Sequence, residues 1–240
     1  MTRVCHTSPN FKIQPSIALG YATKFDESQD IQQVLKEAEN WMYRHKLLEN
    51  RSFRSSIISS LEKTLFEKSF ETEEHAQRIR NISIKLGQAL KLSNAELDEL
   101  SLLSILHDIG KIAISDNILM KPGRLSREEW EEMKKHPEIG YRIAESTKEL
   151  SHIAEDILSH HERWDGGGYP RNLRSSGIPK LARIISVVDA YDVMTHSRPY
   201  KGVMTYQEAL DEIEKCAGTQ FDPEIVELFV DLMRCDLSCI

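Results

Sequence analysis

The sequence has no run of about 18 apolar residues, which excludes a membrane-spanning helix by hydropathy. Its first 20 residues lack a basic start followed by an apolar block, so no secretory signal is expected and the expected location is the cytoplasm. Four cysteines (Cys5, Cys216, Cys235 and Cys239) form no C-x-x-C pair, so they read as reduced thiols rather than disulfide or zinc positions. There is no excess of positive charge. The formal net charge is -7, which argues against a nucleic-acid polymer as partner. No internal repeat or low-complexity segment is present. What remains is a chain of 240 residues, 40% of them hydrophobic, long enough for one full domain with an appendage or for two small domains.

The patterning points to helices. From about residue 51 apolar residues recur at helical spacing: Phe53, Ile57, Leu61 and Leu65, then Ala76, Ile79, Ile82, Leu86 and Ala89. Ser93-x-x-Glu96, Ser126-x-x-Glu129 and Thr205-x-x-Glu208 have the form of capping boxes. The first of these opens a helix expected to reach about Asp108, with Gly110 just past its end. Pro137 starts a short helix, and 150–161 forms another. A glycine-rich loop covers 162–178, and a helix from Pro179 reaches about Thr195. Asp222-Pro223 opens the last helix. Before residue 50 the pattern differs. Residues 12–24 alternate as a strand and 28–49 as a helix. The expected fold is all-α, with a small N-terminal strand–helix appendage.

Five of the nine histidines sit beside carboxylates or other histidines: His75, His107-Asp108, His136 and His160-His161. Asp189 follows in the otherwise apolar RIISVVDAYD, where a carboxylate is costly unless paired or bound to metal. Imidazole and carboxylate together suit iron, manganese or zinc. Adjacent helical residues diverge by about 100°. A pair such as His107-Asp108 therefore serves one ion where both side chains converge, or serves two ions. The same choice applies to His160-His161. Singly, each residue has a plainer reading: a surface histidine, a helix-end cation or a cap.

Taken in order, HDIGK (107–111), KPGRL (121–125), His136, HHERWDGGGYP (160–170) and DAYDVMTHSRPYK (189–201) resemble an HD-GYP domain, the subgroup of HD phosphohydrolases that hydrolyse cyclic di-GMP. The resemblance covers 51–240. It implies an HD-type helical bundle around a multinuclear metal site, with ligands His75, His107, Asp108, His136, His160, His161 and Asp189. Two or three divalent ions are implied, iron or manganese, the third through Glu71, four residues before His75. His107, Asp108 and Lys111 are the implied catalytic group. Lys111 would stabilise phosphate charge; its plainer reading is an ordinary charge at a helix C-terminus. Arg198 and Lys201 are implied phosphate contacts. In Gly168-Tyr169-Pro170 the glycine lets the backbone approach closely, and Tyr169 either stacks on a base or orders the loop. His152 and His196 match no ligand position and read as surface residues.

SIALGYATK and the following AENWMYRHK resemble the last strand and helix of a GGDEF diguanylate cyclase, with Ser16, Ile17, Gly20, Ala38, Met42, Tyr43 and Lys46 matching and Glu39 replacing an aspartate. The GGDEF loop is absent, so residues 1–50 read as a catalytically incomplete remnant: a fragment, or a linker that mediates homodimerisation or contact with a GGDEF-domain partner. Function narrows to hydrolysis of cyclic di-GMP, ending either at linear pGpG or at GMP. The alternatives are another cyclic dinucleotide such as cyclic GMP-AMP, or a silent binding module.

Overall fold

A computed structural model describes residues 22–24, 26, 29–68, 72–196 and 203–237. Contacts divide the chain into two compact units, Met1–Ile58 and Ser59–Ile240. The expected strand at 12–24 falls outside the described residues except for 22–24, which carry no strand. The two helices expected at 28–49 and 52–68 are one, α1 (Ile31–Lys68). That segment contains neither glycine nor proline, so nothing in the backbone interrupts the hydrogen-bond ladder.

Within Ser59–Ile240 the expected caps operate, joined by one that sequence reading did not name: Thr72 caps α2 (Glu73–Ala89) by accepting from the His75 amide. Both arms of the Ser93–Glu96 box open α3 (Asn94–Leu106), which ends earlier than expected, with His107 as its C-cap. A 3-10 turn, Ile109–Ala113, follows, then the short α4 (Asp116–Leu119), which sequence patterning did not anticipate. The Ser126–Glu129 box opens α5 (Arg127–Met133), and α6 (His136–Ser146) has Pro137 in its first turn. The helix expected at 150–161 is a 3-10 turn, Ser151–Ile153, leading into α7 (Ala154–Ser159). After a loop come α8 (Lys180–Thr195), α9 (Tyr206–Lys215) and α10 (Pro223–Leu237).

The core lies where α2 packs on α3 and α8, with α7 against α6 and α8. Ile79 and Leu86 of α2, Leu100, Leu103 and Leu106 of α3, Ile157 of α7, and Ile184, Ile185 and Val188 of α8 are all fully buried. Each such side chain contributes roughly 1.5–3 kcal/mol through lost apolar exposure. Among the described residues no helix is long and apolar enough to cross a membrane.

Two polar groups tie this core together. Asp222 caps α10, accepting from the Glu224 amide at 3.0 Å, and pairs with Arg183 of α8. Asp156 on α7 accepts from the Ala182 amide at 3.2 Å, capping the first turn of α8 from a neighbouring helix. Burial pushes the Asp156 carboxyl up to about 6. A folded-state value above the unfolded one means that the unfolded chain ionises first as pH rises. Stability from this group is therefore full below about pH 4 and is lost as pH climbs through about 6. Asp156→Asn keeps the acceptor and removes the charge. It is expected to stabilise the protein by on the order of 1–3 kcal/mol at neutral pH. Thermal melts should show the gain shrinking as pH falls towards 4; a gain independent of pH would contradict the assignment.

Candidate metal centre

The histidines and carboxylates singled out in the sequence come from three helix ends, those of α3, α6 and α7, and from two further helices, α2 and α8, and the fold gathers them into two groups. His75 of α2, His107 and Asp189 of α8 form one. Asp108, His136, His160 and His161 form the other. Within each group the donor atoms all lie within 4.8 Å of one another. His75, His107, Asp108, His136 and His160 are buried, while His161 and Asp189 are half-buried.

The two sequence pairs behave differently. His107 is the last residue of α3's geometry and Asp108 has already left it, with φ -98° and ψ 12°. Their side chains consequently go to different groups. His160 and His161 leave the end of α7 together and join the same group. Asp108 links the two. Its Oδ1 lies 3.0 Å from His136 Nε2 and 3.7 Å from His160 Nε2, while Oδ2 lies 3.4 Å from His107 Nε2 and 2.6 Å from Lys111 Nζ. One carboxylate thus offers an oxygen to each group.

Gly110 makes this approach feasible. A Cβ there would stand 1.9 Å from the His136 carbonyl oxygen and 2.6 Å from the Gly140 amide. The backbone after Asp108 therefore lies directly on the start of α6, which places His136 against Asp108.

Imidazole tautomers are set by their outer nitrogens. His107 Nδ1 donates to the Ser104 carbonyl at 3.2 Å, His136 Nδ1 to Met133 at 2.8 Å and His160 Nδ1 to Ile157 at 2.6 Å. His75 Nδ1 donates to the Asp192 carboxylate at 2.6 Å. A carbonyl can only accept, so Nδ1 carries the proton and Nε2 is left as a lone-pair donor. His136 and His160 then point bare Nε2 atoms at each other across 3.3 Å, and His161 Nε2 is 3.1 Å from His136 Nε2. Neutral rings placed in this way repel. A cation between them removes the repulsion. Asp189 supplies a second sign: its Oδ1 is buried and accepts no hydrogen bond among the described residues. The donor sets therefore fit metal ions, with orienting acceptors behind the histidines as metal sites usually have.

Electrostatics point the same way. Burial pushes the His160 ring below its ordinary value, and pushes His161 further down, helped by the neighbouring His160 and His136 rings. Both are thus neutral and able to ligate at neutral pH. Burial opposes ionisation of Asp108, yet Lys111 and His107 hold its carboxyl well below the usual range.

The GGGYP loop lies against the second group. Tyr169 stacks on the His161 ring, with centroids 4.9 Å apart, and its amide donates to the His161 carbonyl at 3.3 Å. Trp130 meets Tyr169 edge-on at 6.5 Å, and Lys134 Nζ lies 5.9 Å over the same ring. A Cβ on Gly168 would fall 2.4 Å from the Arg163 amide and 2.6 Å from the His161 carbonyl, so glycine is what allows the loop to lie on the His161–Arg163 backbone. Pro170 follows Tyr169 through a cis peptide bond.

Glu71, Arg198 and Lys201 lie outside the described residues. Two important carboxylates were missed by sequence reading. Glu162 is buried and accepts from the Arg171 and Leu173 amides at 2.6 and 3.0 Å, which folds the loop back on itself. Asp192 backs His75; its only sequence signal was a second aspartate three residues after Asp189 in an apolar helix. His152 is exposed as expected, but His196 is not a simple surface residue, with Nδ1 3.1 Å from Asp192 Oδ1.

Residues 59–225 match the family model described as HD domain. The chain belongs to the HD domain family. The chain is similar over 188 residues, at 40% identity, to a cyclic di-GMP phosphodiesterase of Thermotoga maritima, covering 78% of this chain and 51% of that protein. It is 35% identical over 187 residues to 3'3'-cGAMP-specific phosphodiesterase 2 of Vibrio cholerae, covering 77% of this chain and 36% of that one. The chain thus spans about half or less of these relatives. In fold it resembles the crystal structure of a cyclic GMP-AMP specific phosphodiesterase of V. cholerae, with TM-score 0.58 and 24% identity over 75% of this chain and 48% of that one.

Proposed function

We propose that residues 51–240 form an HD-GYP domain that hydrolyses cyclic di-GMP to linear pGpG or onward to GMP. The observation that carries the reading is the paired donor set joined by Asp108, one carboxylate oxygen facing each group. Support also comes from the likeness to the Thermotoga enzyme over most of this chain. Two divalent ions, iron or manganese, would be held by His75, His107, Asp108 and Asp189 on one side and by Asp108, His136, His160 and His161 on the other. Glu71 is proposed to admit a third. When bound, such ions supply Lewis-acid charge and an activated water.

The chain's own residues do the rest. Asp108 keeps the two positions at a fixed separation. Lys111, held at 2.6 Å by Asp108 and mostly buried, presents its ammonium where phosphate charge develops and a proton is available to the leaving oxygen. Arg198 and Lys201 are proposed to grip the phosphates, as guanidinium and ammonium groups do. Tyr169, packed on His161, shields that ligand from water and orders the GYP loop; the proposed contacts of Gly168 and Pro170 with substrate follow from their place beside it. Residues 1–50 are proposed as the GGDEF remnant, serving as a linker or a contact for a second copy or a GGDEF partner.

A second reading is hydrolysis of cyclic GMP-AMP, favoured by the 35% identity to the Vibrio enzyme. One experiment separates the readings. The protein is purified without oxygen, iron and manganese are counted per chain, and cyclic di-GMP and cyclic GMP-AMP are followed by chromatography beside His107→Ala. Two or three ions with cyclic di-GMP turnover that is lost in the variant is the expected result. Turnover of cyclic GMP-AMP alone would move the substrate assignment. Absence of both metal and turnover would overturn the enzymatic reading in favour of a silent module.

A further inference from the structure

Four histidines of the centre have their Nδ1 position fixed, but not by equal partners. Those of His107, His136 and His160 donate to backbone carbonyls three residues earlier in their own chain segments. His75 instead donates across the core to a carboxylate, Asp192 Oδ2, at 2.6 Å. Asp192 lies on α8, is 1% exposed at its side chain, and stands one turn beyond Asp189, the carboxylate grouped with His75. Arg78, three residues after His75 on α2, grips both of its oxygens, Nε to Oδ1 at 2.6 Å and Nη2 to Oδ2 at 2.9 Å. Residues three apart share a helix face. Arg78 and His75 therefore clamp one buried carboxylate from one side, and His196, just past the end of α8, closes it at 3.1 Å.

A carboxylate behind a ligating imidazole does two things that a carbonyl does less well. It fixes ring orientation with a charge-assisted bond, and it raises the basicity of the opposite nitrogen. We propose that Asp192 is a positioning residue that holds His75 as an Nε2 donor and thereby sets the affinity of the His75–His107–Asp189 position, making the two ion positions unequal. It touches neither ion nor substrate and acts through His75. The proposal rests on reading the two groups as metal ligands, and the wild-type metal count tests that reading separately.

The test is manganese binding by the full chain, followed by electron paramagnetic resonance. Free Mn(II) is quantified during titration, and the coupled signal of a two-ion centre is distinguished from the six-line signal of an isolated ion. Wild type is expected to fill at least the two positions described and give the coupled signal. Asp192→Asn has the same shape and keeps an acceptor for His75. It is expected to bind one ion as tightly as wild type and the second roughly 10–100-fold more weakly, with the coupled signal replaced by the isolated one. In a double-mutant cycle, Asp192→Asn is expected to add no further weakening once His75 is alanine. Two ions at wild-type affinity in Asp192→Asn would overturn the proposal. So would loss of both positions together, or additive effects in the cycle, because each marks a merely structural aspartate. Should the variant not fold, the wild-type metal-free protein decides: nitrogen–proton correlation spectra are expected to show His75 protonated at Nδ1, and an Nε2-protonated ring would overturn the proposal. No manganese bound by wild type would instead refute the metal-centre reading.

Discussion

Asp108→Asn is expected to deplete both ion positions and to lower cyclic di-GMP turnover by roughly a thousandfold, since a bound ion is worth several kcal/mol of transition-state stabilisation and each 1.36 kcal/mol is tenfold in rate. The argument is geometric. One oxygen of Asp108 faces His136 and His160, and the other faces His107 and Lys111. An amide is neutral and turns a donating NH2 towards one of the two groups. A ligand serving a single group should behave differently. His161→Asn is expected to weaken only the position shared by Asp108, His136 and His160. Metal counts on the two variants check the contrast; equal losses in both would show that Asp108 does not join the positions.

Gly110→Ala is expected to be the most damaging methyl group that can be added near the centre. Its Cβ would meet the His136 carbonyl oxygen at 1.9 Å and the Gly140 amide at 2.6 Å, both backbone atoms that cannot rotate away. Relief requires the 3-10 turn and α6 to separate by more than an ångström. That separation draws His136 from Asp108 and opens the second group. Overpacking in a well-packed core costs about 1–3 kcal/mol, and here the neighbours are backbone, so the upper end or beyond is expected. About 1 kcal/mol lowers the melting temperature of a chain this size by roughly 2–4 °C. Melting curves and metal counts should fall together. A variant with wild-type stability and metal content would show that the turn does not bear on α6 as described.

The roles of these two residues were differently legible. HDIGK named both, but only as parts of a motif. The three capping boxes at Ser93, Ser126 and Thr205 were readable because a cap needs nothing beyond four consecutive residues. The continuity of α1 was not read: separate helices were expected at 28–49 and 52–68, although no glycine or proline stands between them. The short α4 and the 3-10 turns escaped notice because they are far shorter than the window of about 11–18 residues over which helical periodicity is recognised. Asp192 and Glu162 escaped for another reason. Their partners, Arg78 and His75 for one and the amides of Arg171 and Leu173 for the other, are distant in sequence or lie in an irregular loop.

By itself the amino-acid sequence determined the helical class, most helix starts and the set of residues able to ligate a cation, because periodicity, caps and side-chain chemistry are local properties. Tertiary structure decided how that set divides. Whether His107 and Asp108 share an ion or part depends on where α3 stops, and whether His160 and His161 converge depends on how α7 ends. Which histidine receives a carboxylate behind it depends on α2 meeting α8. Which elements meet turns on packing between segments far apart in sequence, whereas ring direction within each group is also fixed locally, by carbonyls three residues back.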